Sequence, residues 1–355
     1  MRKNGGAYIN GLIRETLDRG ERTLTVRGEY EIEVPILLPS DFTLVLEDAY
    51  LRMGEGTFCN MFLNAHARTT REKDKNITLL GRGHSVLDGG EYNGLGERNA
   101  GKDGRPFVDV NNLLLFVNVD GFAVENLRFQ NQRWWALNFI ACINGRVRDL
   151  DFLSNAAYRL PDGSVVWGYP EDCDYEAVVV KNQDGIDLRQ GCHDILIENI
   201  TGFVEDDMVA LTNLDGAMES RFRCEGQSED IYNVTIRDVR AASLCSVIRL
   251  LNQSKKGRLY NVLIEGIFDS SKDCPYVARA HDGVRIGDNH MYGDEQPRTE
   301  QVSNITVRDI YMRSTVAFSM AGAMRDCRFT GIYGFDGNET LVSNTAITKN
   351  VTVEA

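Results

Sequence analysis

Asn233-Val234-Thr235-Ile236-Arg237-Asp238-Val239 decides the fold. Val234 and Ile236 alternate with Thr235 and Arg237, the period of two that sends one pair to an inner face and the other outward. The polar pair Arg237-Asp238 then marks a bend, and Val239 begins another short strand. The phrase recurs, with variants starting at Asn76, Asp120, Asn144, His193, Asn261 and Asn304. From Asp120 onward the starts lie 24, 49, 40, 28 and 43 residues apart, which suits coils of irregular length carrying inserted loops or an unmarked extra coil. A lone short strand cannot bury its apolar face, but coils stacked about 4.8 Å apart share one interior. The period and the β-branched content disfavour helical repeats. The expected architecture is all-β: one right-handed parallel β-helix spanning residues 1–355 as a single domain, with a β-sandwich as the rival.

A solenoid needs its ends covered. Ile9, Leu12, Ile13 and Leu17 recur at helical spacing, so residues 1–25 are expected to form a helical cap with its helix over 7–17. Residues 344–353 are a last edge strand or a tail. Asn76, Asn199, Asn233, Asn304, Asn338 and Asn350 head N-x-T sequons, and Asn252 heads an N-x-S sequon. Asparagine suits tight bends before strands, so these read as corners before they read as glycan sites.

Hydrophobic residues at 43% and charged residues at 26% suit a globular chain with a large core. No apolar run reaches the roughly 18 residues that cross a bilayer, so no membrane partner is expected. The first residues carry charge but no apolar signal core, which points to the cytoplasm unless a leader precedes them. A net charge of −13 repels phosphate backbones and argues against nucleic acid. The eight cysteines are scattered and form no CxxC pair, so reduced thiols are expected and a metal cage is not. No cofactor is called for. The oligomeric state is open.

The chemistry lies in two segments that overlay. Asp184-Gly185-Ile186-Asp187-Leu188 matches Asp207-Met208-Val209-Ala210-Leu211, 23 residues later, with the inward residues in step. One coil would then set Asp184 and Asp207 at the same place on adjacent rungs, with Asp206 beside them. Like charges this close raise one another's pKa, which folding alone does not favour. Glycoside hydrolysis wants such a group: one carboxylic acid protonates the leaving oxygen while another carboxylate activates water. A solvated acidic bend or a Ca²⁺ site would use the same residues.

At these positions the chain resembles the polygalacturonase family, glycoside hydrolase family 28. Asn182-Gln183-Asp184-Gly185-Ile186-Asp187 looks like the family's Asn-Thr-Asp-Gly-Ile-Asp, and Asp206-Asp207 like its following acidic pair. Weaker likeness runs through Leu38–Leu51, Asn76–Gly83, Val86–Gly90 and Gln132–Asn138. The resemblance implies an inverting hydrolase on a β-helix acting on a plant or microbial poly- or oligosaccharide. It makes Asp206 the general acid and gives Asp184 and Asp207 the water. The family's Gly-His-Gly is replaced around Ser246, and its Arg-Ile-Lys reads Arg285-Ile286-Gly287, so the histidine and the lysine that grips a substrate carboxylate are missing.

Arg249 and Arg285 fall in one outward column with Asp187 and Ala210, where two arginines would bind a carboxylate in a forked geometry or pair with Asp187 or Asp206. Asn182, Asp187, His281, Asp282 and Trp135 complete the expected substrate contacts. Trp134, Trp167, Tyr158, Tyr169 and Tyr292 are further stacking candidates, several of them in a loop-like insert over 158–175. Two other readings stand beside hydrolysis. One is a lyase or epimerase with Ca²⁺ and an arginine base. The other is a carbohydrate-binding protein without turnover.

Overall fold

The computed structural model describes residues 1–90, 110–224, 226–289 and 298–355, apart from the side chains of residues 217 and 218. Its strands fall into two long parallel sheets, joined rung by rung into a right-handed β-helix. The long strands of the larger sheet, such as Ile231–Ser243, turn a corner partway along. In that strand Val234, Ile236 and Val239 are buried while Asn233 and Asp238 are exposed. Asn233 and Asp238 take φ of 52° and 55°. This left-handed backbone is open to Asn and Asp at low cost, and it bends the strand without losing the alternation.

The corner asparagines stack. Asn233 Nδ2 donates to Asp194 at 2.8 Å, Asn304 to Asn261 at 3.0 Å, Asn199 to Asp149 at 2.6 Å and Asn350 to Asp326 at 2.8 Å. Asn76 likewise donates to Asp41, Asn338 to the Ser314 carbonyl, and the buried Asn252 to the Gly257 and Gln301 carbonyls. The amide nitrogen that a glycan would take is committed to a hydrogen bond at each sequon.

Inside, equal positions on successive coils pile into ladders. Phe129 stacks on Phe152 of the next coil with ring centroids 5.2 Å apart, and across the interior Phe122 of one sheet stacks on Phe139 of the other at 4.7 Å. Truncating one buried Ile or Leu of this interior to Ala would cost about 2–5 kcal/mol, because neighbouring rungs cannot collapse into the gap. Strand Ile143–Leu153 pairs directly with His193–Val204. The 49-residue interval therefore holds an insert, the antiparallel hairpin Ala157–Arg159 with Val165–Trp167, and no extra coil.

The helix Gly5–Asp18 buries Ile9 and Ile13 over the first rung. It lies so close that a Cβ on Gly6 would stand 2.1 Å from the Val34 carbonyl oxygen. At the far end Ile347–Glu354 pairs with Ala323–Gly334 as a last edge strand. All eight cysteines are free thiols, three of them buried and five half-buried. Among the described residues no helix is long and apolar enough to cross a membrane.

Candidate active site

The smaller sheet carries the site. Ile186 pairs with Val209 and Leu188 with Leu211, as the overlay of the two segments anticipates. The next pairings are Val209 with Ile248 and Ser246 with Asp282. Gly185 N donates to the Asp207 carbonyl at 3.0 Å, and Met208 N to the Ser246 carbonyl at 3.0 Å. Asp184, Asp207, Ser246 and Asp282 therefore occupy one column on four successive rungs. Asp206, Cys245 and His281 form the column beside it. Three residues further along each strand lie Asp187, Ala210, Arg249 and Arg285, in the register read from the sequence.

These columns line a cleft of about 730 Å³. Seven expected residues border it: Asn182, Asp206, Asp207, Arg249, His281, Asp282 and Arg285. Asp184 lies one rung from Asp207 and is 4% exposed. Asp206 is oriented through its backbone, since the Ser243 hydroxyl donates to its carbonyl. The Cys245 thiol hydrogen-bonds to the Asp206 side chain, and burial together with the charges of Asp206, Glu205 and Asp207 holds it in the protonated form.

Two expected substrate contacts are corrected. Asp187 is fully buried, with Oδ1 3.6 Å from Arg189 Nη2. Trp135 is 1% exposed, and the Arg189 guanidinium covers its ring at 3.7 Å. A buried charge needs its partner close, so Arg189 lies against both side chains and closes them off. Trp134 is equally buried, and Tyr158 and Tyr169 pack with Phe203 in a cluster beneath the insert. Trp167 is exposed but stands edge-on to Tyr276. Tyr292 lies outside the described residues.

The arginines pair differently from either expectation. Arg249 Nη2 donates to Asp288 Oδ2 at 2.6 Å and Nη1 to the Gly287 carbonyl at 3.2 Å. Arg285 Nη2 donates to Asp288 Oδ1 at 3.4 Å, and its Nη1 is 3.6 Å from Asp282 Oδ2. Asp282 also meets His281 Nδ1 at 2.8 Å. That hydrogen bond raises the imidazole above its ordinary value, ahead of the opposing effect of burial. Burial pushes Asp282 up, but the His281 hydrogen bond and the charges of His281 and Arg285 bring it below the usual carboxylate range. Gly287 has φ of 79°, and a Cβ there would stand 2.1 Å from the Ala321 carbonyl oxygen, so this backbone excludes a lysine.

Sequence reasoning missed Glu205, Tyr175 and Asp288. Glu205 is fully buried behind Asp206 and accepts from Gln183 N at 3.1 Å and from the Tyr175 hydroxyl. Burial first, and then the Asp206 charge, lift its pKa well above 4.5. Its place directly before the acidic pair was the one available signal. Asp288, three residues past Arg285, offered a similar one.

Three solved structures resemble the chain over nearly its whole length. The polygalacturonase of Erwinia carotovora ssp. carotovora matches at 14% identity over 98% of this chain and 93% of its own, with a TM-score of 0.56. The endo-xylogalacturonan hydrolase of Aspergillus tubingensis matches at 13%, over 97% and 87%, with a TM-score of 0.57. The hyperthermoactive exopolygalacturonase of Thermotoga maritima matches at 13%, over 99% and 76%, with a TM-score of 0.55. No family model and no curated protein matches the sequence. At these identities the likeness speaks to architecture, and the chain has the right-handed parallel β-helix fold of these polygalacturonase-type structures.

Proposed function

We propose that this protein is an inverting, polygalacturonase-like glycoside hydrolase acting on a pectic poly- or oligosaccharide. Asp206 is the general acid that protonates the leaving oxygen, and Asp184 and Asp207 hold and activate the attacking water. The carrying observation is the register of Ile186 on Val209, which stacks Asp207, at an open cleft with Asp206, on the rung next to the buried Asp184. Asp206 and Asp207 lie in the bend between strands His193–Val204 and Val209–Asn213 and both line the cleft, so both can reach one substrate. In an inverting site the acid and base stand about 6.5–9.5 Å apart to admit water.

A lyase reading fits less well. Its arginine base would have to give up a proton, yet Arg249 is 5% exposed and hydrogen-bonded to Asp288. Proton NMR of the first product formed from a panel of pectic glycans tests the proposal. The newly formed reducing end should carry the anomeric configuration opposite to that of the bond cut. Retention of configuration, or an unsaturated product, would overturn it.

A further inference from the structure

We propose that the subsite formed by the rungs of Arg249 and Arg285 takes an uncharged sugar, because the cations facing it are already matched by built-in carboxylates. This deepens the hydrolase reading and rests on it. Asp288 bridges the two guanidiniums with one oxygen to each, and Asp282 holds Arg285 from the other side. Asp282 and Asp288 are each 4% exposed, and Asn289 N donates to Asp288 Oδ1 at 2.6 Å, so neither carboxylate swings away readily. Freeing an arginine for an incoming acid would strip a buried charge of its partner.

Arg279, at the cleft edge, is engaged by Glu339 and the Gly337 carbonyl. With His281 protonated, four cations still meet five carboxylates, those of Asp282, Asp288, Glu339, Glu171 and Asp207, while Asp206, the general acid, holds its proton. No lysine can be added at Gly287, where backbone contact forbids a side chain. A substrate carboxylate would give up its hydration and meet a surplus of negative charge. A neutral sugar loses nothing of that kind. The guanidinium N–H groups not used on Asp282 and Asp288 remain directional donors for its hydroxyls.

The test uses matched pectic oligosaccharides of uniform length, one set with carboxylates intact and one with them reduced to primary alcohols. Binding to the Asp206→Asn protein is read by calorimetry and cleavage by the unmodified protein by NMR. The reduced set should bind at least roughly tenfold more tightly. Equal or tighter binding of the intact set, or binding of neither, would overturn the inference. Preferential binding of the reduced set without cleavage would leave the inference standing and defeat the hydrolase reading. Asp288→Asn should then shift the preference between the two sets toward the intact one by roughly tenfold. If that variant does not fold, the comparison of the two sets on Asp206→Asn still decides.

Discussion

Two columns climb the same face of the solenoid three residues apart, and the Asp184–Asp207 end of one treats charge differently from the other. The first sets Asp184 and Asp207 at the same position on neighbouring rungs, with Asp206 at the open cleft beside them. The second runs Asp187, Ala210, Arg249, Arg285, and its charges are closed pairwise by Arg189, Asp288 and Asp282. A parallel β-helix repeats the same outward position every coil, so like charges meet unless something intervenes. Where pairs intervene the column serves the fold. Where like charges are kept together, repulsion works against the fold, and under the proposed hydrolase reading chemistry is the reason to hold them.

The contrast can be broken most forcefully at Asp206. Asp206→Asn should lower kcat by about 10³-fold, since a general acid contributes about 10²–10⁴, while the melting temperature stays within a few degrees of the parent. A fully active variant, or one that simply unfolds, would place Asp206 with the paired column instead.

Arg249→Met makes the converse case. It leaves Asp288 buried without its nearest cation and should lower stability by about 3–5 kcal/mol in urea unfolding. Adding Asp288→Leu to it should recover most of that loss. If Arg249→Met is neutral, the second column is not a structural closure.

Glu205→Gln sharpens the comparison through pH. The folded protein keeps a proton on Glu205 that the unfolded chain releases above about 4.5, so stability is lost as pH rises from there toward the raised folded value. The Gln variant should therefore melt a few degrees higher at neutral pH and no higher near pH 4. The same gain at both pH values would show that proton uptake by Glu205 is not the cause.

The smallest effect belongs to His281, whose side chain is 71% exposed. Its raised pKa contributes stability that is present below about pH 6.5 and lost as pH climbs through the folded value. His281→Gln should flatten that part of the melting-temperature profile. An unchanged slope would mean the contact with Asp282 is absent in solution.

Much of this was legible in residue order. The alternation in Asn233–Val239 and its repeats specified coils, because a strand with one apolar face must find an interior. The register of Asp184 with Asp207 followed from matching inward residues one coil apart, and that of Arg249 with Arg285 from the resemblance to the polygalacturonase motifs. The helix over 7–17 was legible from its spacing and forms as Gly5–Asp18. The eye could not tell a substrate-stacking Trp135 from a buried one, because its cover, Arg189, lies 54 residues away in the chain.

The sequence by itself determined which residues face inward, where the corners fall and which side chains share a column, since all three depend on a local period of two and on the tolerance of Asn and Asp for left-handed backbone. Only the tertiary structure decided which charges are spent on one another. The pairing of Arg249 with Asp288, the seclusion of Glu205 and the closure of Asp187 by Arg189 depend on how loops fold back across rungs. Electrostatic energy follows distance and burial in space, and neither is written in the spacing of residues along the chain.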